Sequence, residues 1–180
     1  MLERTGLPFR VVRPRVDERT WLVHADRNTA GALARLKALE VGSRLDRRRY
    51  PWIIAADTVV EASGRILGQP ESPEQAEEFL RLLSGRLHQV HTGLALLSPS
   101  TVQTAVKIVT TRVSFRLLTS QERAYYIASG EWRGAAGGYR IQERGGFFVD
   151  KVDGSYSNVV GLPLETLYEM LKETGYQFKA

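Results

Sequence analysis

The stretch Pro51-Trp52-Ile53-Ile54-Ala55-Ala56-Asp57-Thr58-Val59-Val60-Glu61-Ala62-Ser63-Gly64-Arg65-Ile66-Leu67-Gly68 holds an apolar run, a turn signal and a short apolar return. Trp52 to Val60 reads as a buried strand. Ala62-Ser63-Gly64-Arg65 is a hairpin-type turn, and Ile66-Leu67-Gly68 comes back beside the strand. Elsewhere helical and strand patterns alternate. Adjacent strand pairs among alternating helices favour an α/β fold on a mixed sheet over a purely parallel one. Within the apolar run stands Asp57. A buried carboxylate without a partner is costly, so Asp57 needs a partner, a metal or a strand end that opens on a cleft.

Working outward, Leu2-Glu3-Arg4-Thr5 reads as about one turn of helix, stopped by Gly6 and Pro8. One turn is too little to stand alone, so the expectation is missing upstream sequence or a start placed too late, the alternative being a frayed terminus of no consequence. Phe9 to Val12 reads as a strand, with Val16-Asp17-Glu18 in the loop after it. Asn28 or Thr29 caps a helix through about Leu45, with Leu33, Leu36, Lys37, Glu40 and Val41 at helical spacing. Ser72 caps a second helix with Pro73 at its first position. His88 to Leu97 and Val102 to Leu118 are strand-like, and Ser120 caps a helix to about Ala128. A Gly-rich loop follows, then a short strand at Phe147 to Val149, a loop through "DGSYSNVVGLP", and a final helix from Leu164 to Thr174. No internal repeat or linker divides the chain, so residues 1–180 read as a single domain.

With 180 residues, 43% hydrophobic and 25% charged, the composition is that of an ordinary globular protein. The absence of cysteine excludes disulfides and thiolate metal sites. The apolar runs are strand-length, short of a membrane span. No signal peptide is evident, and the cytoplasm is the expected location. The net charge of +5 suits phosphate-bearing ligands, or simply a solvated basic face. Nucleic acid is a weaker alternative, because no zinc-finger spacing or RNP-like motif supports it.

Neither a phosphate loop nor a dinucleotide fingerprint is present. His88 and His91 fall on opposite faces of one strand, which argues against a shared zinc and for histidines on the sheet surface. Four features remain. They are Asp57-Thr58 at a strand, the acids Asp17-Glu18 in a loop, Lys37 on a helix, and the segment Gly137-Gly138-Tyr139-Arg140-Ile141-Gln142. Acids that hold Mg²⁺ or orient water, beside cations that neutralise phosphate, are what phosphate-ester hydrolysis requires. Taken singly, each residue reads equally as ordinary structure: a hydrogen-bonded strand-end acid, solvated loop acids, an exposed lysine, turn glycines.

Together the blocks "GLPF", "VDE", "ALARLKA", "IIAADTVV", "ILGQP", "SGRLHQVHTGLAL" and "GSYSNVVGLPL" resemble the Maf family of nucleoside triphosphate pyrophosphatases, in order from Leu2 to about Leu171. The resemblance implies an elongated mixed sheet flanked by helices, with two lobes and a cleft, as in inosine-triphosphate pyrophosphatases. It implies hydrolysis of a nucleoside triphosphate to the monophosphate and pyrophosphate with a divalent cation, Mg²⁺ or Mn²⁺. In that pattern Asp57 accepts the proton of the attacking water, and Thr58 and Gln142 help select the base. Thr and Gln at these positions resemble the dTTP/UTP branch. Glu18 and Lys37 match polar positions of the family cleft, for metal and phosphate. Family members are often dimers, so a homodimer is an expected assembly. The chain departs from the pattern where it lacks the family's first strand and Ser-x-Ser-x-Arg-Arg loop. It also has Gln69 for the Lys of Gly-Lys-Pro, Ala135 for a common Lys, and Glu143 for a usual Gly. The alternative expectation is a Maf-like protein that binds nucleotide without turning it over.

Overall fold

Ser63 and Gly64 both take left-handed backbone angles, φ 50° and 74°. That geometry matches the twist of a tight two-residue hairpin. The computed structural model describes residues 1–17, 25–99 and 104–178. Helix α1 (Thr29–Arg44) precedes the hairpin, which joins β1 (Ile53–Ala62) to β2 (Arg65–Leu67). After it come α2 (Pro73–Leu83), β3 (Leu87–Leu97), β4 (Ala105–Phe115), α3 (Ser120–Ser129), β5 (Val149–Asp153), α4 (Tyr156–Val160) and α5 (Leu164–Glu173).

The sheet runs β2-β1-β3-β4-β5, and each direct pairing among the described residues is antiparallel. Strands β2 and β3 both oppose β1. They therefore run in the same direction on either side of it, linked through α2. Hairpin and crossover links thus share one sheet with helices packed on it, and the α/β class stands.

Side chains alternate across β1. On one face Ile53 and Ala55 pack with Ala34, Ala38 and Val41 of α1. On the other, Ile54 and Ala56 join Leu94 and Leu96 of β3 and Leu167, Met170 and Leu171 of α5. Further along that second face Val60 and Ala62 enter the main core with Phe79, Leu80, Val90, Tyr126 and Phe148. Between these two apolar clusters lies a polar row, Thr58 paired in register with Thr92. Gly93 lets α1 rest on the sheet. A Cβ there would fall 2.3 Å from the Ala30 backbone, so only glycine permits the approach.

Caps explain the helix starts. Asp26 Oδ1 accepts from the backbone N–H of Asn28 at 2.9 Å and Thr29 at 3.1 Å, so Asp26 takes the capping role expected of Asn28 or Thr29. Ser72 accepts from Gln75 N at 3.2 Å, as read, with Pro73 following. Thr119 rather than Ser120 caps α3, in a reciprocal box with Glu122.

Other local readings change. Phe9 to Val12 form no regular strand. Instead Phe9 and Val12 line an apolar groove of about 550 Å³ beside Trp52 and Ile54. Residues Arg144–Phe148 make a 3₁₀ turn, and β5 begins only at Val149. The "DGSYSNVVGLP" loop contains α4. His88 and His91 are each 2% exposed, because both faces of β3 are covered.

Candidate active site

The partner that Asp57 requires is Lys37. Lys37 lies three residues after Ala34 and four before Val41, which places it on the stripe of α1 that faces the sheet. Its Nζ donates to Asp57 Oδ1 at 2.5 Å. The side chains are 13% and 9% exposed, so this ion pair is largely withdrawn from water but open on one side.

Thr58, one residue on, points to the opposite face. Its Oγ1 lies 2.9 Å from Thr92 Oγ1, and Thr92 donates to the Asn158 carbonyl at 3.0 Å. Asn158 is fully buried; its Nδ2 donates to Val90 O at 3.1 Å and Thr111 Oγ1 at 3.0 Å. Asn158 thereby fastens α4 to threonines on neighbouring strands. Gly161, with φ 107°, ends α4 against Thr58, where a Cβ would sit 3.3 Å from Oγ1.

The Gly-rich loop supplies the facing wall. Gly137 N donates to Gly68 O at 2.9 Å, tying the loop to the end of β2. Alternation then sorts its side chains. Tyr139 and Ile141 are buried in the main core, while Arg140 and Gln142 line the cleft. Tyr139 is pinned by a 2.9 Å hydrogen bond between its hydroxyl and His88 Nε2. Burial pushes the Tyr139 phenol up and holds His88 down at about 4, so both are neutral near pH 7. Arg140 Nε donates to Glu131 O at 3.0 Å and Nη2 to Arg133 O at 2.7 Å, which fixes the guanidinium against its own loop.

The cleft encloses about 200 Å³ and is lined by Lys37, Asp57, Thr58, Gln69, Arg140 and Gln142, among others. A second cavity of about 420 Å³ adjoins it, bounded by Val16, Asp17, Gln69 and Glu71. Asp57, Thr58 and Gln69 line both. Four of the five residues singled out from sequence therefore meet at one place: Lys37, Asp57, Thr58 and Gln142. Glu18 lies outside the described residues. Ala135 lines the cleft, and Glu143 is exposed beyond it.

A family model described as Maf-like protein matches residues 1–174. The chain belongs to that family. It is 45% identical to the dTTP/UTP pyrophosphatase of Chelativorans sp. (strain BNC1), over 98% of this chain and 86% of that protein. It is similar also to the dTTP/UTP pyrophosphatases of Salmonella typhimurium, at 43% identity over 95% of this chain and 85% of that one, and of Thermus thermophilus, at 40% over 98% and 89%. In this Maf-like chain the cationic side chains that line the two cavities, among the described residues, are Lys37 and Arg140.

Sequence reading missed Thr92, Asn158 and Glu71. Thr92 had a weak signal, as one of several polar residues (His88, Gln89, His91, Thr92) in the first half of β3, before its apolar run from Leu94 to Leu97. Asn158 had another, lying between a serine and two valines in a segment read as loop.

Proposed function

We propose that this chain is a nucleoside triphosphate pyrophosphatase acting on dTTP and UTP. The observation that carries the proposal is the Asp57–Lys37 pair, a nearly buried carboxylate and cation at the meeting point of two cavities. Water attacks phosphorus and the bond between the α- and β-phosphates breaks. The water proton passes to the Asp57 carboxylate, while Lys37 and Arg140 balance phosphate charge. Thr58 and Gln142 face the base. The similarity to dTTP/UTP pyrophosphatases supports the substrate class.

A divalent cation fits the donor set. Mg²⁺ is commonly held by one or two carboxylates together with substrate phosphates, and Asp57, Asp17 and Glu71 offer carboxylates around the adjoining cavity. Among the described residues no three His, Asp or Glu form a closed metal cage. When bound, such a cation polarises phosphate oxygens and neutralises their charge. Glu18 is proposed as a further ligand. We place the reaction in the cytoplasm, where the nucleotide pool lies, and treat residues 1–180 as one Maf-like domain.

The test is pyrophosphate release from dTTP, UTP, CTP and modified nucleotides with Mg²⁺ or Mn²⁺. Asp57→Asn is expected to lower kcat by about 1,000-fold; undiminished turnover would remove Asp57 from this role. A second reading, nucleotide binding without turnover, is favoured by the uncharged Gln69 where the two cavities meet. Calorimetric binding with no pyrophosphate released would establish it.

A further inference from the structure

A hydroxyl carries one proton, and the hydrogen bonds around Thr58 decide where that proton goes. Thr92 spends its only proton on the Asn158 carbonyl, 3.0 Å away, an atom that can only accept. The same carbonyl also receives Gly161 N–H at 2.9 Å, which holds it in place from the α4 side. In the 2.9 Å contact between the two threonines, Thr58 must therefore be the donor. Its proton points into the protein, and what it turns to the cleft is lone pairs. Thr92 is fully buried, so no water competes for the arrangement.

A hydroxyl that only accepts cannot hold a phosphate oxygen, which also only accepts. The lone pairs of Thr58 suit an N–H or O–H of the ligand and not a phosphate oxygen. We propose that Thr92, oriented by the Asn158 carbonyl, is a positioning residue for base specificity. It fixes Thr58 as an acceptor and so selects a base bearing an imide N–H, uracil or thymine, over cytosine, whose ring nitrogen at that place is itself an acceptor. The inference rests on the pyrophosphatase reading and on Thr58 facing the base. It explains why uncharged threonines suffice here: discrimination comes from leaving two acceptors opposed, which costs far more than a missing contact.

The experiment compares kcat/KM for UTP and CTP, and for UTP and dUTP, in the wild type, Thr92→Val and Thr92→Ser. Thr92→Val is nearly isosteric and removes the acceptor, which frees the Thr58 proton to turn toward the base. The expected result is a fall of about tenfold in the UTP-to-CTP ratio. Thr92→Ser keeps a hydroxyl and is expected to restore the wild-type ratio. A purely structural loss would lower both substrates together and leave the ratio unchanged, which would overturn the inference. So would a change confined to the UTP-to-dUTP ratio, since Thr58 would then be meeting the sugar. Thermal melts of both variants show whether folding is retained. If the wild type releases pyrophosphate from no triphosphate, the pyrophosphatase reading fails instead, a distinct outcome.

Discussion

The two faces of β1 solve opposite problems with neighbouring residues. Asp57 faces α1 and meets a cation; Thr58 faces α4 and, among the described residues, hydrogen-bonds to the uncharged Thr92. Both stand at the same cleft, because β1 pairs with β2 only from Val60 onward and its edge there is bordered by cavities. The lesson is that the period of two in a strand lets one short motif deliver a charged instrument and a neutral one to the two sides of a single ligand.

The comparison breaks most severely if α1 is lifted off the sheet. Gly93→Ala would press a Cβ to 2.3 Å from the Ala30 backbone. It is expected to cost more than about 4 kcal/mol in urea denaturation and to abolish activity with it.

The neutral face has its own limit, which is acid. Burial lowers the pKa of His88 from 6.5 to about 4. As pH falls below 6.5 the unfolded chain takes up a proton that the folded one refuses, so stability is full above that pH and lost as pH passes down through about 4. The loss attributable to His88 is about 3 kcal/mol. His88→Gln, less stable at pH 7, is expected to lose correspondingly less between pH 7 and pH 4, measured by urea midpoints.

On the charged face, Lys37→Met removes the ammonium beside Asp57. It is expected to lower kcat/KM about 100-fold for dTTP and UTP alike, without altering base preference. A changed preference would show that the two faces are not independent. The smallest effect belongs to Gly161→Ala. An alanine at φ 107°, with its Cβ 3.3 Å from Thr58 Oγ1, is expected to cost about 1–2 kcal/mol by thermal melt and to weaken UTP binding.

Much of this was legible in the sequence because it is local. The Ser63-Gly64 turn, the Ser72-Pro73 cap and the apolar run around Asp57 each carry their signal within a few residues. Lys37 and Asp57 were singled out separately, but their contact spans 20 positions and depends on Gly93, a glycine with no local signature of close approach. The histidines of β3 were misplaced on the surface, because alternation tells which face a side chain takes and not what covers it. Thr92 and Asn158 stayed hidden because a hydrogen-bond relay across β1, β3 and α4 has no periodicity to read. Phe9 to Val12 had strand composition, yet composition supplies no ladder partner, and those side chains settle in a groove instead.

The seating of α1 on Gly93 has one more consequence. The gap that Lys37 spans is set by main chain against main chain, so no rotamer elsewhere can widen it. A bulkier cation at position 37 would have to turn out into the cleft that Lys37 lines. Drift in this lineage is therefore expected to change helix seating and cation length together, a covariation between positions 37 and 93 that neither the nucleotide nor the metal imposes.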